Sequence, residues 1–289
     1  MSEQMDVIVR FHDARRLSEL KRCVFSLTHQ SYQPLCVILA VQRFSDSEIK
    51  SLRTALDELS DGYDLEIKIV NWEKPEPVDA RSALLNLGIA NAEGRYLAFL
   101  DYDDVMYPEA YETLISRLKT TDAAIVFASV RVMLLDVYED FFYAAEQVTP
   151  GYRGSGLIDL LRNNFCPLHS YAIDRHKILN AELSFDTVRT MQEDYDLLLR
   201  ICAKYASDFG LIGTQIGDYN YKSDGSNTVP TGGALSGEVL AQLEAVKTAM
   251  EVRRRTTAVS LDVQNSLGLS EAIEGATIRD VIDRVARGG

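Results

Sequence analysis

The sequence has few of the features that mark secreted, membrane-spanning or metal-cluster proteins. Its four cysteines, at positions 23, 36, 166 and 202, are far apart and form no CxxC pair, which disfavours disulfides or a zinc site and predicts buried thiols. No run reaches the roughly 18 apolar residues that span a bilayer, and the first residues lack the basic-then-apolar order of a signal peptide. We therefore expect a cytoplasmic protein.

Positive charge is also scarce. The 289 residues contain 30 Lys and Arg against 43 Asp and Glu, a net charge of −13. Nucleic-acid binding needs a basic face that neutralises phosphates, so this balance disfavours it. A single nucleotide stays compatible, because a metal ion and one or two cations neutralise a diphosphate locally.

The first hundred residues alternate between strand and helix patterns. Strands are predicted at 6–9, 35–41, 65–70 and 95–100, and helices at 17–28, 45–59 and 80–92. Because this order and the continuously apolar strands are typical of α/β proteins, we predict a mostly parallel twisted sheet with helices on both faces. Ligands of such sheets bind at the carboxyl ends of the strands.

The second half is more mixed. We predict strands at 123–135 and 170–174, a loop or linker at 223–237, and helices at 108–118, 157–163, 193–205, 239–255 and 267–285. We therefore divide the chain into a catalytic domain over 1–230 and a C-terminal helical extension over 231–289.

Three carboxylates, Asp101, Asp103 and Asp104, follow the predicted strand at 95–100 directly. Carboxylates this close repel one another, so their position at the ligand edge of a sheet favours a bound cation. Mg²⁺ and Mn²⁺ take such oxygen ligands and share them with substrate phosphates. The alternative is a solvated acidic turn, with Asp104 capping the helix predicted at 108–118.

The segment from Asn86 to Asp104, NLGIANAEGRYLAFLDYDD, carries a family resemblance. It resembles the N-x-G-I-x-x-A-x-G-x-Y-hydrophobic-x-F-L-D-x-D-D signature of family 2 glycosyltransferases, and the resemblance covers about residues 5–225. It implies the GT-A fold, with D-x-D carboxylates that bind a nucleotide-sugar and a divalent metal. By this resemblance Asp103 is a metal ligand, and Asp101 contacts the ribose or belongs to the metal shell.

A second acidic element, EDYDLLLR at 193–200, resembles the family's E-D-x-D-L-x-x-R. The resemblance implies that Asp194 is the catalytic base, which an acceptor hydroxyl needs because it is a poor nucleophile until its proton is accepted. Glu193 would orient the acceptor. From composition alone, acidic residues in a first helical turn equally complement the helix dipole.

The resemblance also implies donor contacts from the loops around these elements. Arg10 and His12 lie in the segment equivalent to the family's first strand and P-x-Y-N motif, with His12 at the position that packs on the base, and Arg81 is expected near the base or diphosphate. The sequence departs from the family at Gln42, where the usual V-D-D acids are missing. Gln42 offers a base a different hydrogen-bonding pattern, so a UDP-sugar and a GDP-sugar both stay open.

Toward the end of the resemblance, YKSDGS at 221–226 is similar to the family's Y-R-x-H-x-x-S. Asp224 replaces the histidine that binds metal in relatives, which implies a third metal ligand, and Lys222 is placed to contact a phosphate. Two other polar residues stay ambiguous. His169 either meets the acceptor or is a buried structural histidine, and Asn86 either fixes its helix or touches the donor.

Together these features predict an inverting glycosyltransferase that uses Mn²⁺ or Mg²⁺. It would move a sugar from a nucleotide-diphosphate donor to a hydroxyl acceptor (a sugar, glycan or lipid-linked molecule) in surface polysaccharide or glycan synthesis. One alternative is a non-catalytic nucleotide-sugar-binding protein. Another is a sugar nucleotidyltransferase, which the lack of glycine at 10–16 disfavours.

The helices after position 237 fall outside the resemblance. Their apolar faces are expected either to dock on the catalytic domain or to form a homo-oligomer. The basic run Arg253–Arg255 is interpreted as a solvated helix end, with peripheral contact to the inner membrane face as the alternative.

Overall fold

The computed structural model describes residues 3–138, 141–149, 152–223 and 237–288. Asp224, the predicted third metal ligand, lies outside these residues, as does nearly all of the loop predicted at 223–237. None of the helices in these four ranges is long and apolar enough to cross a bilayer. All four cysteines are buried free thiols, which confirms that prediction.

The first hundred residues form the predicted alternation, with ends that shift by at most two residues. The elements are β1 Met5–Phe11, α1 Leu17–Thr28, β2 Leu35–Gln42, α2 Asp46–Ser60, β3 Glu66–Trp72, α3 Arg81–Asn91 and β4 Tyr96–Asp101. The start of α2 is the most strongly specified, because Ser45 and Glu48 form a capping box that satisfies backbone donors at both positions.

The second half continues the sheet with longer, bent strands. Its elements are β5 Val105–Met106, α4 Ala110–Thr120, β6 Ile125–Val137, β7 Phe142–Val148, α5 Leu157–Arg162, β8 Tyr171–Asp174, α6 Glu193–Cys202, β9 Ser207–Lys222, α7 Gly237–Thr256, α8 Leu261–Ser266 and α9 Ile278–Ala286. Strands β5, β7 and β9 were not predicted. In β9 the glycines and the register shifts against β6 obscure any regular alternation of apolar residues.

The helix predicted at 267–285 is wrong in its first half. Gly268 and Gly275 both adopt positive φ, at 72° and 76°, where the chain leaves the helical conformation. Only α9, capped by Thr277 and Asp280, forms within that range, and the short α8 precedes it.

Among the described residues the strands form one sheet, in the order β3-β2-β1-β4-β8-β6-β9-β5, with β7 paired to β6. Strands β1 to β4 are parallel, whereas β8 runs antiparallel to both β4 and β6. The parallel register aligns the carboxyl ends of β1 and β4, so that Arg10 is the Cα partner of Asp101. This alignment places the acidic cluster beside the end of the first strand.

Side chains of the sheet alternate between two cores. In β1, Ile8 belongs to a core that also contains residues of α3, α5, α6 and the C-terminal helices, while Val7 and Val9 belong to a second core with residues of α1, α2 and α4. Met250, Ile278 and Val281 of the C-terminal segment belong to the same core as Leu198 of α6. The end of α7, together with α8 and α9, therefore docks on the catalytic domain, as one of the two sequence-based alternatives proposed, whereas Leu243 and Val246 of α7 do not belong to this core.

The two glycines of the signature segment serve packing. A Cβ at Gly88 would lie 2.4 Å from Ile8 Cγ2, and one at Gly94 would lie 2.5 Å from the carbonyl oxygen of Gln4. Asp6 further fixes this turn by accepting from the backbone N–H groups of Glu93 and Gly94, each at 2.6 Å. These glycines therefore let α3 and the following turn approach β1 closely.

The basic run Arg253–Arg255 is mostly not a solvated helix end, and that interpretation is wrong. Arg253 Nε lies 2.7 Å from Asp196 Oδ1, and Arg254 donates to Tyr195 Oη at 2.9 Å. Asp196 is fully buried and also lies 3.0 Å from Arg200 Nε and 2.9 Å from Arg189 Nε, the latter without hydrogen-bond alignment. Helix α7 is thus tied to α6, and the run no longer supports a membrane contact.

This arrangement predicts a large stability effect at Asp196. We expect Asp196→Ala to lower the free energy of unfolding by about 3 kcal/mol, because three guanidinium groups lose their shared carboxylate. Urea unfolding measures the change. The matched control is Arg255→Ala on α7, the helix of Arg253, because the Arg255 side chain is 69% exposed and pairs with Glu251. It should change stability by less than about 1 kcal/mol, and an equally small effect of Asp196→Ala would contradict the prediction.

Candidate active site

One arginine joins the two acidic elements that the sequence singles out. Arg10 donates to both carboxylate oxygens of Asp101, at 2.5 Å from Nε and 3.0 Å from Nη2. Its remaining terminal nitrogen, Nη1, donates to Glu193 Oε1 at 2.6 Å. Burial alone would raise the pKa of Asp101, but the ion pair with Arg10 outweighs it and holds that pKa below its ordinary value.

Glu193 reaches this point because of how α6 begins. Gln192, the residue before the helix, adopts the left-handed conformation with φ 55° and ψ 30°, which turns the chain sharply into the helix. Few non-glycine residues adopt this conformation, and strain of this kind is concentrated at functional sites. The turn brings Glu193 and Asp194 into the first helical turn at the edge of the sheet.

Asp194 lies next to Glu193 in a site that disfavours its negative charge. Burial, followed by the charge of Glu193, raises the pKa of Asp194 to about 7. Asn164 Nδ2 lies 3.4 Å from Asp194 Oδ2, and the backbone N–H of Tyr195 donates to Oδ1 at 2.7 Å. A carboxylate whose pKa is close to neutral is well matched to accept a proton from a hydroxyl group.

The pKa of Asp194 predicts the pH dependence of any reaction that uses it as a base. Since the base must be deprotonated, the rate should rise about tenfold per pH unit below pH 7 and level off above it. In Glu193→Gln the neighbouring negative charge is gone, so the midpoint should move to lower pH. A pH–rate profile of both proteins measures this, and an unchanged midpoint in the variant would contradict the assignment.

Asp103 and Asp104 have different surroundings. Asp103 Oδ2 lies 2.8 Å from Lys222 Nζ at the end of β9. Asp104 is buried and accepts from the backbone N–H of Asn220 at 2.8 Å. Burial, and then the charges of Asp103 and Asp101, raise the pKa of Asp104 well above its ordinary value. Asp104 therefore ties the acidic turn to β9. The alternative prediction, that Asp104 caps the helix now seen as α4, is wrong.

A cleft of about 300 Å³ opens beside these carboxylates. Its wall includes the predicted metal ligand Asp103 and the predicted donor contacts other than Lys222, namely Arg10, His12, Gln42, Arg81 and Asp101. His12 packs edge-on against Tyr102 with ring centroids 5.7 Å apart, and burial lowers the pKa of His12. Gln42 Nε2 donates to the carbonyl of Val78 at 2.9 Å, while Arg81 pairs with Asp79 at 2.9 Å. The structure thus places these side chains around one cavity.

Asn86 and His169, whose roles the sequence left open, both contact other protein groups. Asn86 donates to the carbonyl of Phe185 at 2.9 Å and accepts from its backbone N–H at 2.7 Å, so it locks the loop before α6. His169 is buried with Nδ1 3.2 Å from Asp104 Oδ2, although neither ring nitrogen makes an aligned hydrogen bond. Burial lowers the pKa of His169 to about 4, so it packs there as a neutral side chain.

Several residues that shape the site were missed from the sequence. Tyr219 and Tyr221 line the cleft. Asn220 Nδ2 and Arg22 Nη2 both donate to the carbonyl oxygen of Asp103, at 2.8 Å and 2.6 Å. The alternating tyrosines at 219 and 221 were the available signal, since a strand presents every second residue to one face. No local pattern marks Arg22, whose partner is 81 residues away.

Residues 6–180, more than half of the chain, match the family model described as Glycosyl transferase family 2. The chain belongs to this family. Glycosyltransferase GlyG of Streptococcus pneumoniae serotype 4 (strain ATCC BAA-334 / TIGR4) is 26% identical over 129 residues, which are 45% of this chain and 40% of GlyG. The chain thus matches less than half the length of that relative.

Solved structures of glycosyltransferases share the fold of this family 2 protein. S. aureus TarS 1–349 in complex with UDP aligns with a TM-score of 0.55 at 10% identity, over 98% of this chain and 71% of that chain. The mannosyltransferase PcManGT from Pyrobaculum calidifontis, in complex with GDP-Man and Mn²⁺, aligns with a TM-score of 0.53 at 12% identity, over 98% and 68%. These similarities confirm the mixed α/β GT-A fold.

The carboxylates of this family 2 site fit only one kind of metal site. Over the described ranges, no group of three or more His, Cys, Asp or Glu side chains is close enough to hold an ion. Asp103, with its side chain 21% exposed at the acidic turn, is the carboxylate best placed to be a ligand. Mg²⁺ and Mn²⁺ often bind through one or two carboxylates, with substrate phosphates and water completing the shell. The residues fit such a shared site and do not form an all-protein cage.

Proposed function

We propose that this protein transfers a sugar from a nucleotide-diphosphate donor to a hydroxyl acceptor, with inversion at the anomeric carbon. The observation that carries the proposal is the bridge of Arg10 between Asp101 and Glu193. It joins the D-x-D turn, where the family binds its donor, to the helix that holds a carboxylate with a pKa of about 7. Donor binding and proton acceptance then have adjacent places at one sheet edge.

In the proposed reaction, the residues of the cleft bind and orient the donor. His12 and Tyr102 offer aromatic surfaces for the base, and Gln42 offers an amide. Asp101, held by Arg10, is placed for the ribose. Asp103 would hold Mn²⁺ or Mg²⁺, and a bound ion of this kind neutralises the leaving diphosphate without proton transfer.

Asp194 completes the proposed reaction from the other side of Arg10. It accepts the proton of the acceptor hydroxyl as the hydroxyl attacks the anomeric carbon opposite the leaving diphosphate, which inverts the configuration. Glu193 keeps the charge environment that raises the pKa of Asp194. Holding the two substrates in line supplies much of the remaining acceleration.

Three further parts of the proposal concern the setting of the enzyme. Synthesis of a surface polysaccharide or glycan by a cytoplasmic enzyme rests on the family resemblance and the composition. A homo-oligomer through the C-terminal helices rests on the exposed side chains of Leu240 and Val252 on α7. The division at position 230 rests on composition. The part after it is an extension that packs on the catalytic domain, because the C-terminal helices share a core with α6.

A thermal-shift panel tests the donor. UDP, GDP, dTDP and CMP would each be added with and without Mn²⁺, because a ligand that binds only the folded state stabilises it by about 2.7 kcal/mol at a hundred times its dissociation constant. We expect UDP or GDP to give the largest rise in the melting temperature. UDP-GlcNAc would follow, because S. aureus TarS 1–349 is also solved in complex with it, and so would GDP-Man, which is bound in the PcManGT structure. If no nucleotide raises the melting temperature even with Mn²⁺, the proposed function is wrong.

A further inference from the structure

A buried lysine forms an ion pair with Asp103, the carboxylate proposed to bind the metal. Lys222, the last residue of β9, is 2% exposed, and its ammonium lies 2.8 Å from Asp103 Oδ2. The same ammonium lies 5.5 Å from the centroid of the Tyr102 ring. Because a buried charge is costly unless it is paired, the contact with Asp103 stabilises Lys222 in this position.

The other D-x-D carboxylate also has a resident cation. Both oxygens of Asp101 accept hydrogen bonds from Arg10. A divalent ion that approached the acidic turn of the free protein would therefore meet two cations already in contact with its ligands. A metal and an ammonium repel each other strongly when both contact one carboxylate, since the site is partly withdrawn from water.

We propose that Lys222 and the metal compete for Asp103, and that Lys222 is released to the donor diphosphate when donor and metal bind together. The inference rests on the proposed function, because it needs a nucleotide diphosphate in the cleft. The incoming phosphates supply the negative charge that Lys222 loses when the metal takes Asp103. An ammonium is a compact point charge well suited to such a phosphate contact.

Two consequences follow for binding. The free protein binds Mn²⁺ weakly, because the ion must displace a paired lysine. A nucleoside diphosphate tightens Mn²⁺ binding, and by linkage Mn²⁺ tightens nucleotide binding by the same factor. Metal dependence is then set largely by Lys222, one residue that is not itself a metal ligand.

The experiment measures Mn²⁺ binding to the full chain from the electron paramagnetic resonance signal of free Mn²⁺. Titrations are done with no nucleotide, with UDP and with GDP. For the unsubstituted protein we expect the better nucleotide to tighten Mn²⁺ binding about tenfold or more, within the usual range of coupling between sites. Equal Mn²⁺ affinity with and without a nucleotide that itself binds the protein, as the thermal-shift panel measures, would overturn the proposal.

Three variants sharpen the result. Lys222→Met should tighten Mn²⁺ binding without nucleotide about tenfold and lose most of the nucleotide effect, since one positive charge beside Asp103 is gone. Lys222→Arg keeps that charge and should behave like the unsubstituted protein. Lys204→Met, which removes a surface lysine paired with Glu182, is the matched control and should change nothing. Thermal unfolding of each variant checks that it is folded.

The outcomes separate this inference from the proposed function. If Lys222→Met leaves Mn²⁺ affinity without nucleotide unchanged or weaker, the competition does not exist. If no protein binds Mn²⁺ under any condition, the inference is also overturned. If neither UDP nor GDP binds while Lys222→Met still tightens Mn²⁺ binding, the competition stands and the proposed function fails.

Discussion

Asp194→Asn is expected to reduce sugar transfer by about 10³-fold while donor binding is retained. General-base catalysis is typically worth about 10²- to 10⁴-fold, and Asn has nearly the same shape but accepts no proton. The measurements are kcat with saturating donor and acceptor, and the thermal shift produced by the donor nucleotide. Loss of nucleotide binding in this variant would mean that Asp194 belongs to the donor site.

The same substitution has a second, independent readout in stability. The pKa of Asp194 is raised from 3.8 to about 7 in the folded protein, so the folded state disfavours its charged form. This penalty is absent below pH 4, grows between pH 4 and pH 7, and is constant above pH 7. Asp194→Asn should therefore raise the melting temperature at pH 8 more than at pH 5. Glu182→Gln, whose carboxylate has a lowered pKa and pairs with Lys204, should instead lower the melting temperature at both pH values, because the contribution of this carboxylate is lost only below its ordinary pKa.

Arg10→Met is expected to be the most damaging change outside the carboxylates. It leaves Asp101 and Glu193 without their shared cation, and loss of one partner of this partly buried network costs up to about 3 kcal/mol of stability. Misplacement of either acidic element should lower kcat/KM on the order of 100-fold. Urea unfolding and steady-state kinetics measure the two effects.

The pH profiles of two Arg10 variants distinguish the effect of the positive charge of Arg10 from the effect of its contact with two carboxylates. The charge of Arg10 lowers the pKa of Asp194, so the midpoint of the rate profile should move above pH 7 in Arg10→Met. Arg10→Lys keeps the charge but has no fork that reaches two carboxylates at once. It should restore the midpoint and only part of the rate. Full activity of Arg10→Lys would contradict the bridging role.

Local sequence patterns are sufficient to predict the secondary structure of the first part of the chain. Strands and helices of the first hundred residues follow from apolar runs, periodicity and caps such as Ser45, because each signal lies within the element it describes. Strand β9 was not predicted, and the helix predicted at 267–285 was wrong in its first half, because such a local signal is missing from β9 and was overruled in the helix. Their conformations depend on partners far along the chain and on the positive φ of Gly268 and Gly275.

The acidic segments were recognisable in the sequence, because Asp101–Asp104 follows a buried strand and Glu193–Asp194 begins a helix. Their combination into one site was decided only by the tertiary structure. Arg10 lies 91 residues from Asp101 and 183 residues from Glu193, and no periodicity links positions so far apart.

The properties of the acidic residues were also decided by the fold. Composition assigns every aspartate the same ordinary pKa, whereas burial next to Glu193 brings that of Asp194 to about 7. Lys222 is close to Asp103 only because β9 returns beside the acidic turn. The sequence by itself thus determined which residue types are present and the family to which they point. The folded chain determined which charges meet, since charge interactions depend on distance and burial in space.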